Sequence, residues 1–417
     1  MNNPSKIISR PLRGIARTFV SLKYYNFRVW FVGQLTSLVG TWMQSTAQGY
    51  LVYTLTGSAA MLGIVGFASG LPMWLFSLYG GVVADRIPRR ILLIITQAAM
   101  MILAFILAGL VFLDLIQPWH IIVLAFLLGI ANAFDAPARH SFVVELVERE
   151  DLTNAIALNA TMFNAATVVG PAVAGITYAA FGSAWCFMLN GFSFIAVIIS
   201  LLFMRMKTVV RQELPKSNAL SQIKDGFVYV SKNRVISQLI ASLGVLSVFG
   251  FSLVYLLPLW AVDILGGDVK TNGLLLSARG LGSLMGALTI AVLGHRRIKG
   301  KIWTLGSLVA PVALVVFAFT RWLPLSVIML AVLGWGIMSM ANTTNALVQS
   351  QISDEMRGRV MGIYSLIFMG SMPLGSLVVG GLAEILTPTA TVLICAAAIL
   401  LYTLFILFRH PEIRRLE

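Results

Sequence analysis

Gly129-Ile-Ala-Asn132-Ala-Phe-Asp135-Ala-Pro137-Ala-Arg139 lies inside an apolar segment, and Val168-Val-Gly170-Pro171-Ala-Val-Ala-Gly175 lies in the middle of the next one. On a helix, Asn132, Asp135 and Arg139 fall within about 80° of one another, and Asp135 and Arg139, four residues apart, can pair. Charges so placed are costly in an apolar setting and mark function there. Pro137 lacks an amide proton, so the carbonyl of Ala133 loses its helical donor beside them.

The surroundings of this stretch make the setting a lipid bilayer. The 417 residues are 58% hydrophobic and 11% charged, with a mean hydropathy of +0.89, where soluble chains carry about a quarter charged residues. Apolar runs of about 20 residues, each long enough to cross hydrocarbon as a helix, recur at 27–55, 60–84, 91–112, 120–143, 153–182, 184–206, 236–263, 271–293, 302–320, 324–349, 357–386 and 388–408. The pattern predicts an all-α membrane protein with twelve transmembrane helices.

The net charge of +14 records topology. All thirty Lys and Arg except Lys270, Arg279 and Arg321 lie in or beside every second gap. By the positive-inside rule those gaps and both termini are cytoplasmic. The charge is therefore assigned to orientation and anionic lipid, and nucleic acid is not expected as a partner. The basic head from Met1 to Arg28 lacks an apolar core followed by a cleavage site, so no cleaved signal peptide is expected. Cys186 and Cys395 both sit in apolar runs and imply neither a disulfide nor a metal site.

The longest basic interruption, near residues 206–234, divides the runs six and six. It predicts a first bundle over 1–206, a linker over 207–235 and a second bundle over 236–417. Within the linker Leu220, Ile223, Phe227 and Val230 recur at helical spacing, as in a helix lying on a membrane surface. A shift of 210 residues superposes Gly57, Gly63 and Gly70 on Gly267, Gly273 and Gly280, and Asp85-Arg86 on His295-Arg296. A shift of 205 superposes Gly170 and Gly175 on Gly375 and Gly380. The shared order suggests a parallel duplication of six helices.

Gln34, Ser37, Thr41, Gln44 and Gln48 form one polar stripe at steps of three and four, and Ser339, Asn342, Asn345 and Gln349 form another beneath Trp335. A stripe of this kind faces water, cargo or a neighbouring helix. Five positions in register favour a cavity. Asp135 is the one acid well inside an apolar run. Burial favours its neutral form and Arg139 its ionised form, so the two are read either as a proton-loading switch or as a permanent neutral pair. Arg279 either meets an anionic group of the cargo or snorkels from a cavity wall. Gly280, Gly282 and Gly286 follow no strand and read as close helix packing rather than a dinucleotide motif.

No nucleotide, metal or hydrolase constellation survives inspection, so neither cofactor nor enzymatic activity is expected. Gly294 to Lys301 has the wrong spacing for a phosphate loop, and Ile302 stands where a hydroxyl residue would bind magnesium. Energy for moving a cargo would then come from an ion gradient or from the cargo's own.

Gly81-Val-Val-Ala-Asp85-Arg86-Ile-Pro88-Arg89-Arg90 resembles the loop signature of the major facilitator superfamily, with Pro88 where that family usually has glycine. Val168 to Gly175 is similar to the superfamily's antiporter motif. Asn26-Phe-Arg28, Gly33-Gln34, Gly40-Thr41-Trp42-Met43-Gln44, Asp135-Ala-Pro137-Ala-Arg139 and Glu150-Asp151-Leu152 with Asn154-Ala-Ile-Ala-Leu158 resemble its enterobactin-exporter-like branch. The resemblance covers nearly the whole chain. It implies two pseudo-symmetric six-helix bundles around a cavity, alternating access, and proton-coupled export across a bacterial inner membrane.

It also implies that Asp85 holds the cytoplasmic side closed against the helix starting near Arg357 to Arg359. Arg86, Arg89 and Arg90 would anchor the same loop, which begins at Gly81, to lipid headgroups, and Gly170, Pro171 and Gly175 would hinge or seal. His295 replaces the second Asp, which predicts a one-sided latch. Expected partners are a small amphipathic organic molecule of the drug or siderophore kind, the proton and membrane lipids, with the chain a monomer. Cargo contacts are expected from Gln34, Thr41, Gln44, Gln48, Arg279, Trp335, Asn342 and Asn345, and proton coupling from Asp135 and Arg139. The alternative is a lipid or lysolipid flippase without proton coupling, suggested by Met338, Met340, Met356, Met361, Met369 and Met372.

Overall fold

A computed structural model describes residues 19–205, 219–293 and 298–416. These residues form helices α1 (Tyr25–Thr56), α2 (Ala59–Arg86), α3 (Arg89–Phe112), α4 (Pro118–Val143), α5 (Leu152–Phe181) and α6 (Ser183–Phe203). A short helix α7 (Ala219–Lys232) follows, then α8 (Arg234–Ile264), α9 (Val269–Leu293), α10 (Lys299–Phe319), α11 (Leu323–Ser350), α12 (Asp354–Ile385) and α13 (Pro388–Arg409). Eleven of the described helices are long and apolar enough to cross a membrane. The twelfth is α1, which packs among them, its hydropathy diluted by its glutamines, serines and threonines.

Local chemistry sets the turns. Gly57 at φ +62° ends α1 in the left-handed region, and Gly266 at φ +61° ends α8. The equivalent of Gly57 is thus Gly266, one residue before the Gly267 expected from the shift of 210. Ser58 caps α2 by accepting the amide of Met61, and Thr387 with Pro388 opens α13 in the same way. The segment just before α1 is pinned to the start of α5: Tyr24 donates to Asp151 at 2.8 Å, and the Lys23 ammonium pairs with the same carboxylate at 2.6 Å. That hydrogen bond holds Lys23 above the usual ammonium range.

α8 is not the single regular helix expected over 236–263. Pro258 cannot donate to the carbonyl of Val254, and the chain runs through π-helical and 3₁₀ turns between Ser247 and Ile264. α7 is the amphipathic linker helix, yet it docks on protein. The missing side chain of Gly226 lets it approach α12, where an added Cβ would lie 3.0 Å from the carbonyl oxygen of Arg359, and Asp225 pairs with Arg359 at 3.4 Å. Val230 is buried while Phe227 remains exposed.

The strongest packing between the two groups of six runs through α2 with α12 and α5 with α9. The duplicated glycines meet there in crossed pairs. A Cβ on Gly380 would lie 2.8 Å from the Cα of Gly63, and a Cβ on Gly273 would lie 3.2 Å from the Cα of Gly175. Gly170 abuts Val39 and Met43 of α1, as Gly375 abuts Val248 and Ser252 of α8.

Candidate translocation path and coupling site

The end opposite the basic loops is closed. Tyr53 of α1 donates to Asp263 of α8, residues exactly 210 positions apart in sequence numbering. Glu384 of α12 accepts from the Ser58 hydroxyl at 2.9 Å and the Ala60 amide at 3.0 Å, so one half caps the first turn of a helix in the other. Deeper in, Ser376 donates to the carbonyl of Gly63 at 3.0 Å and Ser277 to that of Val168 at 2.7 Å. Gly66 faces the Tyr255 ring, Gly70 faces Pro373, and Gly280 faces Thr167. Among the described residues, every glycine that brings the two halves together lies on this side of the Trp74–Gly370 contact, and Trp74 itself is 46% exposed.

Asp135 is 1% exposed and lies between α3 and α4. Its Oδ1 accepts from Thr96 Oγ1 and Gln97 Nε2, both at 2.9 Å, and its Oδ2 lies 3.5 Å from Arg139 Nε. The pair expected from sequence is therefore a four-residue cluster. Thr96 and Gln97 had no periodic signal in an otherwise apolar run. Asn132 stands aside, donating to the carbonyl of Leu128 at 3.0 Å in its own helix. The carbonyl of Ala133, left without a helical donor by Pro137, faces Gly80 of α2, whose lack of a side chain permits the contact.

The polar stripe on α1 is divided by packing. Gly33 and Gly40 admit α6 so closely that a Cβ on Gly40 would lie 3.0 Å from Ser193 Cβ. Gln34, Ser37 and Gln44 are buried, and Asn190 of α6 donates to Gln44 at 2.7 Å. Thr41 and Gln48 remain half-exposed. This corrects the expectation of one cavity-facing row: periodicity defines a face but not the helix that covers it. On α11, Ser339 is buried, Asn342 and Asn345 are half-exposed, and Gln349 donates to Asn345 at 2.6 Å.

Trp335 also departs from its expected place. It donates to Thr289 at 3.0 Å and, with Leu281, Met285 and Ile328, lines an apolar groove of about 630 Å³ between α5, α9 and α11. The exposed row Leu274, Leu281, Met285 and Leu288 identifies this as the outer flank of α9. Arg279 projects from the opposite flank. Its guanidinium lies 5.9 Å from the Phe251 ring centroid and 3.5 Å from the Phe251 carbonyl oxygen.

At the basic end, Asp85 is half-exposed and 4.0 Å from Arg89, which pairs at 2.6 Å with Glu145 of α4. Arg90 donates to the Leu202 carbonyl at 2.9 Å. Arg357 and Arg359 are engaged by Asp354 and Asp225. Gly81 abuts nothing within 4 Å, and Arg86 is exposed. His295 and Arg296 lie outside the described residues.

Residues 16–416 match the transmembrane secretion effector family. The chain belongs to that family. The chain is 25% identical over 391 residues to the staphyloferrin A transporter of Staphylococcus aureus (strain NCTC 8325 / PS 47), covering 93% of this chain and 97% of that one. It is 26% identical over 395 residues to the enterobactin exporter EntS of Escherichia coli O1:K1 / APEC, covering 93% and 92%. The nucleoside transporter NupG superposes with a TM-score of 0.72 at 14% identity, over 93% of this chain and 100% of the other, and shows the shared major facilitator fold. The chain is thus a multi-pass membrane protein whose family and relatives are transporters.

Proposed function

We propose that the protein exports small amphipathic organic molecules of the siderophore kind across a bacterial inner membrane, by alternating access and in exchange for protons. The observation that carries the reading is the seal confined to one end of a duplicated bundle, together with a buried carboxylate set between two helices of one half. Both siderophore transporters named above align over nearly the whole chain. The far-end latches and the crossed glycine pairs would suit a state open toward the basic end, in this reading the cytoplasmic side from which an exporter loads. Asp135 would bind and release the proton, with Arg139, Thr96 and Gln97 deciding its charge and reporting it to α3. Thr41, Gln48, Asn342 and Asn345 would offer polar contacts. Gly170 and Gly175 hold α5 to α1 and α9, and Pro171 lets it flex between them. The functional unit would be a monomer in contact with bilayer lipid, both termini cytoplasmic.

The test is accumulation of an iron-free catecholate siderophore in inverted membrane vesicles under an imposed pH gradient, acidic inside. Accumulation above vesicles lacking the protein, abolished by a protonophore, supports the reading. Accumulation indifferent to the protonophore would favour the uncoupled lipid-flippase alternative, for which the apolar groove beside Trp335 offers a lateral path.

A further inference from the structure

We propose that the cargo is an anion with an aromatic or apolar body, and that Arg279 receives its oxyanion at the closed end of the path. This rests on the export reading for direction of movement only. Counting about 1.5 Å per helical residue, Arg279 lies about 15 Å from the far end of α9, at the depth of Ser69 on α2 and Tyr255 on α8. That is the layer where Gly66 meets Tyr255 and Gly70 meets Pro373, the inner face of the seal. A molecule entering from the basic end reaches Arg279 where the path stops.

The guanidinium there is under-satisfied. No carboxylate among the described residues lies within 4.0 Å of it, its Nε is buried without a hydrogen-bond partner, and its only bond, to the Phe251 carbonyl, is long at 3.5 Å. The Phe251 ring at 5.9 Å offers a modest cation–π contact. Five donors in a planar fork, partly desolvated and unpaired, match a carboxylate-like oxyanion. Arg279 also turns away from the exposed apolar flank of α9, so its guanidinium is directed into the protein rather than toward lipid.

The walls on the basic side are aromatic. Phe251 meets Phe368 edge-on at 5.3 Å, and Phe368 stacks with Tyr364 at 6.4 Å. Tyr364 donates to the carbonyl of Ala341 on α11 at 3.3 Å. A column of rings thus runs from α11 to the cation. The irregular turns of α8 between Ser247 and Leu256 place the Phe251 ring and carbonyl toward α9. A ligand with an acidic head and a flat body fits this order, head first.

The test uses the detergent-purified full chain with naphthoate, its methyl ester and a naphthyl trimethylammonium cation as probes, read by binding titration with no gradient applied. Naphthoate is expected to bind at least about tenfold tighter than the ester, the size of a hydrogen bond to a charged group. In Arg279→Gln the preference disappears while ester affinity stays within about twofold, and in Arg279→Lys, which keeps the charge without the fork, part of it remains. Equal binding of acid and ester by the wild type, or a preference that survives Arg279→Gln, would overturn the proposal. Acid preference without proton-driven accumulation would count against the export reading alone, and the reverse against the anion site alone.

Discussion

Replacing Gly380 by Ala probes the seal directly. The new methyl carbon would stand 2.7 Å from the carbonyl oxygen of Ala59 and 2.8 Å from the Cα of Gly63, where ordinary contact begins at 3.4 Å. Both neighbours are backbone, so α2 and α12 must part by about 0.6 Å or the state must be abandoned. Overpacking of this kind costs about 1–3 kcal/mol. A conformation with the far end open does not contain the contact. The cost therefore falls on the closed state and shifts the equilibrium toward the open one by about 5- to 150-fold. Gly381 is the internal control, because a Cβ there meets nothing within 4 Å. Spin labels at Phe181→Cys on α5 and Ile385→Cys on α12, both strongly exposed, report the separation of the halves, while native Cys186 and Cys395 are buried. Gly380→Ala should enrich the longer distance and Gly381→Ala should not. Identical distributions for both variants would refute the assignment of this contact as the seal.

Glu384→Gln weakens the cap on α2 and Tyr53→Phe removes the donor to Asp263. Each should raise the far-end open fraction by about two- to tenfold in the same distance measurement, the usual net contribution of a single hydrogen bond. Asp135→Asn should abolish pH-driven accumulation while naphthoate binding stays within about twofold. Thr96→Val and Gln97→Leu each remove a donor to the Asp135 carboxylate. Proton-driven accumulation should fall in either variant while naphthoate binding stays within about twofold, and unchanged accumulation would remove these side chains from coupling. Gly80→Ala should destabilise the whole chain, since its methyl would press on the backbone of Ala133 and Phe134.

The apolar runs and the glycines that pack the helices were legible in the sequence, because bilayer thickness and backbone hydrogen bonding leave little choice of element. The crossed pairs were not: spacing matched Gly63 to Gly273 and Gly175 to Gly380, but only the fold sets Gly63 against Gly380 and Gly273 against Gly175. Asp135 stood out as a lone acid, whereas Thr96 and Gln97 touch it from a helix some forty residues earlier. Gln34 and Gln44 misled because small residues beside them, Gly33 and Gly40, admit α6 over the stripe. One signal was available and unused. The shift of 210 that aligned the glycines also aligns Tyr53 with Asp263, the polar ends of two equivalent helices that meet at the seal.

The most direct test of proton-driven export is made with purified protein in liposomes that enclose a pH-sensitive dye, with a pH gradient as the sole energy source. Addition of a catecholate siderophore to the outside of liposomes with an acidic lumen should produce lumenal alkalinisation together with siderophore uptake, both lost in Asp135→Asn. Siderophore uptake with no accompanying change in lumenal pH would contradict the account.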